Sequence, residues 1–279
     1  MIMRNLLLPL SYELHCSWLM VLLMLAASSS ISNGLVQQQT TIQVCQNKDC
    51  CKRYQQAHNS MDLVQTFRDL LAPSTITINS SQQQQQPQFV VEASGCLSHC
   101  GSGPNVAIIT PDGSSSSNNQ ETVHNHVETP TSAAAILPVE PHPTLLAAVT
   151  VMEKAHKATE TDKKLHLLNS VINKLNSIPE LAESAANVHA HTLRAQVHLE
   201  TSNNHSVELA MHDIQQAIAM NAKNQLLPLP ANAWRILADA QEQSGNIPAA
   251  MAALRQWAQL NPSYATKVAK EVSRLQQQL

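Results

Sequence analysis

Aromatic side chains make up only 3% of the 279 residues, too few for a surface that stacks nucleic-acid bases. Basic side chains are not in excess either. Lys and Arg total 17 against 20 Asp and Glu, a formal net charge of −3. Neither the cysteine-bearing half nor the C-terminal half offers the basic stripe that binds a phosphate backbone, so nucleic acid is not expected as a partner. Glycine is scarce, with six residues and no GxGxxG, GKS or GKT, which excludes the common nucleotide loops. GxSxG, HExxH and CxxC are missing, and no carboxylates pair near the cysteines. The chain therefore does not read as an enzyme.

Hydrophobic residues are plentiful, at 43%, enough to build a core. The apolar run Trp18–Ala27 ends in Ala26-Ala27-Ser28-Ser29-Ser30, small residues suited to cleavage. Ten helical residues rise about 15 Å, roughly half a bilayer core. Residues 1–33 therefore read as a signal or targeting segment, with an uncleaved anchor as the alternative. No later stretch approaches spanning length, so no membrane span is expected in the mature chain. Cys16 leaves with the signal, and five cysteines remain.

The remainder divides by composition. Residues 40–127 contain all five cysteines and the β-branched runs, whereas residues 144–279 contain none and are rich in Ala, Leu and Gln. Between them, residues 128–143 hold four prolines and read as a linker. Gln82–Gln86 and Ser114–Asn119 read as surface loop insertions. Strand-like patterns fall at Thr41–Val44, Thr75–Asn79, Phe89–Glu92 and Val106–Thr110, with Glu121–His124 as a hairpin return. Met61–Leu71 has helical spacing. These signals predict a small α/β layer.

Cys45 and Cys50 are separated by four residues, and Cys96 and Cys100 by three. Each pair follows a strand-like segment. Loops at the same end of parallel strands would bring the pairs together. Four converging thiolates have three readings: an iron–sulfur cluster, a structural zinc, or two disulfides. Cys100-Gly101-Ser102-Gly103-Pro104 is glycine-dense in a glycine-poor chain, and glycine lets backbone N–H groups approach cluster sulfurs. His99 and Tyr54, close to the cysteines, are read as a solvated loop residue and a packing residue.

Val44-Cys45, with Cys50 beyond it, followed by Gly95-Cys96-Leu97 and Cys100-Gly101-Ser102-Gly103-Pro104-Asn105-Val106, resembles the thioredoxin-like 2Fe-2S ferredoxin family. The match covers about residues 40–127. It implies a thioredoxin-like fold with Cys45, Cys50, Cys96 and Cys100 as ligands of a 2Fe-2S cluster. Cys51 adjoins Cys50 and could replace it, and the Gln run lengthens the segment between the pairs. The chain is also similar to plant plastid proteins that join such a domain to tetratricopeptide repeats.

Seven helical segments are expected C-terminally, at 145–159, 163–176, 180–201, 206–221, 230–244, 247–260 and 262–277. Gly245 suits a helix C-terminus, Asn246 a cap, and Asn261-Pro262 a cap followed by N1. Trp234, Leu237, Ala238, Ala250, Leu254 and Pro262, counted from Ala231, are similar to the tetratricopeptide pattern. Such an array implies a concave surface for a protein partner; the alternative is that the helices merely pack on the cysteine domain. Ala265, Val268, Ala269, Val272 and Leu275 form one stripe on the last segment, as a capping helix needs. His191, His198, His205 and His212 recur every seven residues. The run crosses Ser202–Ser206, so they cannot share one helix face and no site is assigned to them.

The expectation is an α/β thioredoxin-like domain followed by an all-α tetratricopeptide-like array. Its function would be electron transfer or redox sensing joined to protein binding. The alternatives are a zinc-bound or metal-free scaffold and a secreted disulfide-bonded protein. A cluster together with a signal peptide points to a plastid reached through the secretory route. The secretory pathway itself is the alternative, and there the sequons Asn79-Ser80-Ser81 and Asn204-His205-Ser206 would matter.

Overall fold

The computed structural model describes residues 39–279 apart from 51–61, 72–87, 99–101, 112–118, 202, 224–228 and 231. Among the described residues four strands form one mixed sheet. β1 (Gln39–Cys45) and β2 (Gln88–Ser94) pair in parallel, while β3 (Val106–Pro111) and β4 (Asn119–His124) form an antiparallel hairpin whose β3 pairs with β1. The strand order is β2-β1-β3-β4. Parallel neighbours need a crossover, and α1 (Leu63–Leu70) lies in the connection between β1 and β2.

Period-2 alternation decides which face of the sheet is covered. Ile42 and Val44 of β1 stand beside Ile108 and Val106 of β3 in register, and all four are buried. Thr41 and Gln43 point the other way and are half-buried. α1 is buried almost all round, with Leu63, Val64, Phe67 and Leu70 in the core, because helices pack against it from beyond the sheet. Its first turn is capped by Asp62, whose Oδ1 accepts from the Val64 N–H at 3.0 Å.

The proline-rich stretch expected as a linker contains a helix, α2 (Pro130–Ile136). A capping box starts it: Thr129 Oγ1 accepts from the Ser132 N–H at 3.0 Å, and Ser132 Oγ accepts from the Thr129 N–H at 2.8 Å. Ala133 and Leu137 are buried in the same core as the sheet residues.

The helices that follow pair into hairpins. α3 (Pro143–Lys157) packs on α4 (Thr161–Asn176). A short α5 (Pro179–Ala182) precedes α6 (Ala185–Glu200), which packs on α7 (Asn204–Lys223). α8 (Ala233–Gln243) packs on α9 (Ile247–Leu260), and α10 (Ala265–Gln276) closes the row after a 3₁₀ turn. The expected segment 180–201 is broken because Ser184 caps a new helix, its Oγ accepting from the Asn187 N–H. Thr75–Asn79 lies outside the described residues.

Among the described residues three apolar clusters follow one another along the chain. The first unites the sheet, α1, α2, α3, α4 and part of α6. The second joins Val188 and Ala195 of α6 to Ala210, Ile214 and Ala217 of α7 and to Ala233 and Ile236 of α8. The third holds Ala238, Ala250, Leu254 and Trp257 with Val268 and Leu275 of α10. Alanines dominate the second, and their small size lets helix backbones approach closely. On α10 only Val268 and Leu275 of the expected stripe are buried; Ala265 and Ala269 are exposed. Among the described residues no helix is long and apolar enough to cross a membrane.

Candidate functional site

The parallel register places Cys45 opposite Ser94, so Cys96 follows its strand by two residues at the same end of the sheet. The strand ends are tied directly, the Gln46 N–H donating to the Ser94 carbonyl at 2.8 Å. β3 begins at this end as well, and the Cys45 N–H donates to the Asn105 carbonyl at 3.1 Å. The two sulfur-bearing loops therefore share one edge of the fold, as the spacing of strand and cysteine suggests.

Cys50 lies in a helical turn, residues 48–50, and is buried at 1% exposure. Its sulfur sits under the second loop. A Cβ built on Gly103 would stand 2.5 Å from Cys50 Sγ and 3.3 Å from its Cβ, so only glycine fits there. Asn105 Nδ2 donates to Cys50 Sγ at 3.9 Å. Cys96 is exposed, and the Ser98 N–H donates to its sulfur at 3.3 Å from a left-handed backbone, φ 63°. Cys45 is buried.

N–H donors near sulfur and a close glycine contact are compatible with an iron–sulfur cluster and equally with packed thiols. Cys50 is the sulfur that Gly103 and Asn105 address, and Cys45, Cys50 and Cys96 are the expected ligands that lie among the described residues. Cys100, Cys51, Gly101, His99 and Tyr54 lie outside the described residues. Among the described residues no three His, Cys, Asp or Glu side chains are gathered closely enough to hold a metal ion.

A second feature is the groove along the helices. A cleft of about 720 Å³ opens between α6 and α8, lined by Gln196, Leu199, Glu200, Asn232, Arg235 and Ile236 with the carboxylates Asp239 and Glu242. A cleft of about 340 Å³ between α3, α4 and α6 is lined by His156, Lys164, Leu193, Gln196 and Glu200. Gln196 and Glu200 line both, so the two clefts adjoin along one face of α6. Lys164 pairs with Glu200 at 3.1 Å across the second. Burial holds His156 below the ordinary imidazole value, helped by the Lys164 charge.

Two buried polar clusters escaped the sequence reading. Asp69 of α1 is fully buried and accepts from Gln65 Nε2 at 2.8 Å, with His189 Nδ1 at 2.6 Å on its other oxygen. Asp213 of α7 is also buried, with Arg194 Nε at 2.7 Å and His191 Nδ1 at 3.0 Å. His198 and His212 stand 3.9 and 4.0 Å from the same carboxylate. The heptad-spaced histidines do lie on two helices, but the hairpin brings two of the four, His191 and His198, to Asp213, the sequence neighbour of His212. Burial pushes the Asp213 carboxyl up, yet the Arg194 and His191 hydrogen bonds outweigh it and hold the group below its ordinary range. The signal available in the sequence was the i, i+7 pair His191 and His198 with Arg194 between them, but the acid they face lies on another helix.

Arg235 of α8 is the corresponding hub further along. It pairs with Asp239 at 2.8 Å and with Glu271 of α10, and its guanidinium stands 5.7 Å from the Trp257 ring centre on α9. Trp257 in turn stacks on Tyr264, ring centres 4.9 Å apart. No protein family's sequence profile, no characterised protein and no solved structure matches the chain.

Proposed function

We propose that the chain is an electron-transfer or redox-sensing module, a thioredoxin-like domain bearing a 2Fe-2S cluster, coupled to a tetratricopeptide-like array that binds a protein partner. The observation that carries the reading is the parallel pairing of β1 with β2, with Cys45 opposite Ser94, which puts both cysteine loops at one end of the sheet. The order β2-β1-β3-β4, two parallel strands followed by an antiparallel hairpin, supports the thioredoxin-like assignment. Bound there, a 2Fe-2S cluster would supply one-electron chemistry. Cys45, Cys50, Cys96 and Cys100 would hold it, and the Ser98 N–H and the Asn105 amide would donate to the sulfurs of Cys96 and Cys50.

The helix hairpins and the adjoining clefts on α6 support protein binding through the array. The apolar run at 18–27 followed by a Ser/Thr/Gln-rich stretch supports delivery to a plastid through a signal peptide. Retention in the secretory pathway is the competing destination.

Anaerobic purification of the full chain, with iron and acid-labile sulfide analysis, tests the reading. About two of each per chain is the expected result. One observation favours a second reading: Cys96 is exposed while Cys45 and Cys50 are buried. Zinc alone in the same measurement, or neither metal, supports an interaction scaffold with a zinc-bound or metal-free cysteine domain.

A further inference from the structure

The connection from α6 into α7 carries Asn203-Asn204-His205-Ser206. The two asparagines are placed differently. Asn203 caps α7: its Oδ1 accepts from the Ser206 N–H at 2.8 Å, and its carbonyl accepts from the Val207 N–H at 3.0 Å. Asn204 is the first residue of α7 and is exposed. It opens the sequon Asn204-His205-Ser206, whose middle residue is not proline.

Helical geometry separates the two ends of that sequon. Successive residues turn about 100° around an α-helix, so Asn204 and Ser206 stand about 200° apart. Ser206 lies on the packed side of α7, at 8% exposure, with Ala210 and Ile214. Ala210 and Ile214 join the cluster shared with α6 and α8. Asn204 shares the other side with Glu208 and Gln215, both exposed. A transferase that reads this motif must engage the asparagine amide and the hydroxyl together, because the hydroxyl is part of what defines the motif. In the folded hairpin one group faces solvent and the other faces the core. The sequon is readable only while α7 is not yet packed.

We infer that Asn204 carries an N-linked glycan, added in the lumen of the secretory route before α6 and α7 pack together. The donor is a lipid-linked oligosaccharide diphosphate. Asn204 Nδ2 bonds to C1 of the first sugar as the bond from C1 to the diphosphate oxygen breaks. The lipid diphosphate leaves with the electron pair, and the amide proton passes to a base of the transferase. Nothing is oxidised or reduced. The inference rests on the proposed signal segment at residues 1–33, and on neither the cluster nor the protein partner. A plastid reached through the secretory route and retention in that route both include passage through the lumen. Once the chain folds, the sugar stands on the exposed side of α7, as a bulky polar group must. No residue of α7 lines either cleft on α6, so the sugar is attached off the surface proposed for protein binding.

The test translates the full chain in the presence of microsomes, in an Asn79→Gln background that removes the other sequon. Peptide N-glycosidase in heavy-oxygen water then labels position 204 if it carried sugar, and peptide mass spectrometry reads the label. The expected result is one enzyme-sensitive step in mobility, with the label at position 204. Asn204→Gln loses both. Ser206→Ala also loses both although the asparagine remains, whereas Ser206→Thr keeps them. Because the sugar is added before folding, these readouts do not depend on whether a variant folds. Chain that is protected from added protease but unlabelled at position 204 overturns the inference and leaves the signal segment standing. Chain that is neither protected nor labelled overturns both. A second arm offers the solubilised transferase and its lipid-linked donor to purified full chain, either folded or freshly diluted from urea. Only the diluted chain acquires sugar. Equal labelling of the two refutes modification before packing.

Discussion

His189 Nδ1 on α6 lies 2.6 Å from Asp69 Oδ2 on α1, and the aspartate is fully buried. α1 lies in the connection from the first cysteine loop to β2, whereas α6 lines both helical clefts. One buried hydrogen bond therefore ties the sheet layer to the helical array, across 120 residues of sequence. The shared apolar cluster does the rest, since Phe67 of α1 and Ala186 and Ala190 of α6 belong to it. The two compositional halves of the chain are not beads on a string.

Removing either partner of that pair leaves a buried polar group exposed to no solvent. His189→Leu is expected to destabilise the protein by about 3 kcal/mol, and Asp69→Asn by a similar amount. The double variant should lose less than the sum. Urea unfolding of the two single variants and the double variant measures the coupling, and strictly additive losses would mean the contact contributes nothing of its own.

Gly103 and Gly95 make a matched pair of substitutions. Gly103→Ala forces a Cβ onto the Cys50 sulfur, whereas a Cβ at Gly95 meets nothing within 4 Å. The first should cost about 1–3 kcal/mol, as overpacking does, and the second should be nearly neutral. Denaturation midpoints compare them. Equal losses would place the Cys50 sulfur away from the second loop.

The contributions of His198, His156 and Asp213 to stability should fall with acid in two stages, against an opposite contribution from Asp62 and Asp239, whose carboxyls burial raises. Burial holds His198 and His156 below the ordinary imidazole value of 6.5. The unfolded chain then binds protons first, so the stabilisation is complete above about pH 6.5 and is lost as pH drops through the folded-state values. Asp213 has the same sign at lower pH: its carboxyl is depressed below 3.8, so that stabilisation is lost as pH falls further still. Urea midpoints between pH 7.5 and 3 follow both stages. His198→Gln should flatten part of the first, and a wild-type curve level from pH 7 to pH 5 would contradict the assignment.

Arg235 joins α8, α9 and α10 through Asp239, Trp257 and Glu271. Arg235→Ala should cost about 1–2 kcal/mol, from the ring contact and a half-buried ion pair. Its effect should be local. Hydrogen exchange should quicken in residues 265–276 and stay unchanged in the sheet; uniform quickening would show that the residue acts on the whole core instead.

Most elements were legible because their causes are local. Alternation in Thr41–Val44 gave β1, and Gly245, Asn246 and Asn261-Pro262 marked the ends of the last helices where the structure has them. The hairpin return at Glu121–His124 lies within β4. The helix at Pro130–Ile136 was missed because four prolines outweighed the Thr129 and Ser132 capping box. The break at Ser184 was missed because helical spacing runs through it.

The sequence by itself determined most of the strands and helices and the position of the first cysteine of each pair at or just past a strand's end, since period, caps and turn residues act over a few neighbours. Only the tertiary structure decided that β1 and β2 lie side by side in parallel, that Asn105 reaches Cys50 across 55 residues, and that Asp69 and Asp213 collect histidines from other helices. Those choices follow from which apolar faces bury together, and the polar groups carried inward on those faces must then find partners that no local spacing encodes.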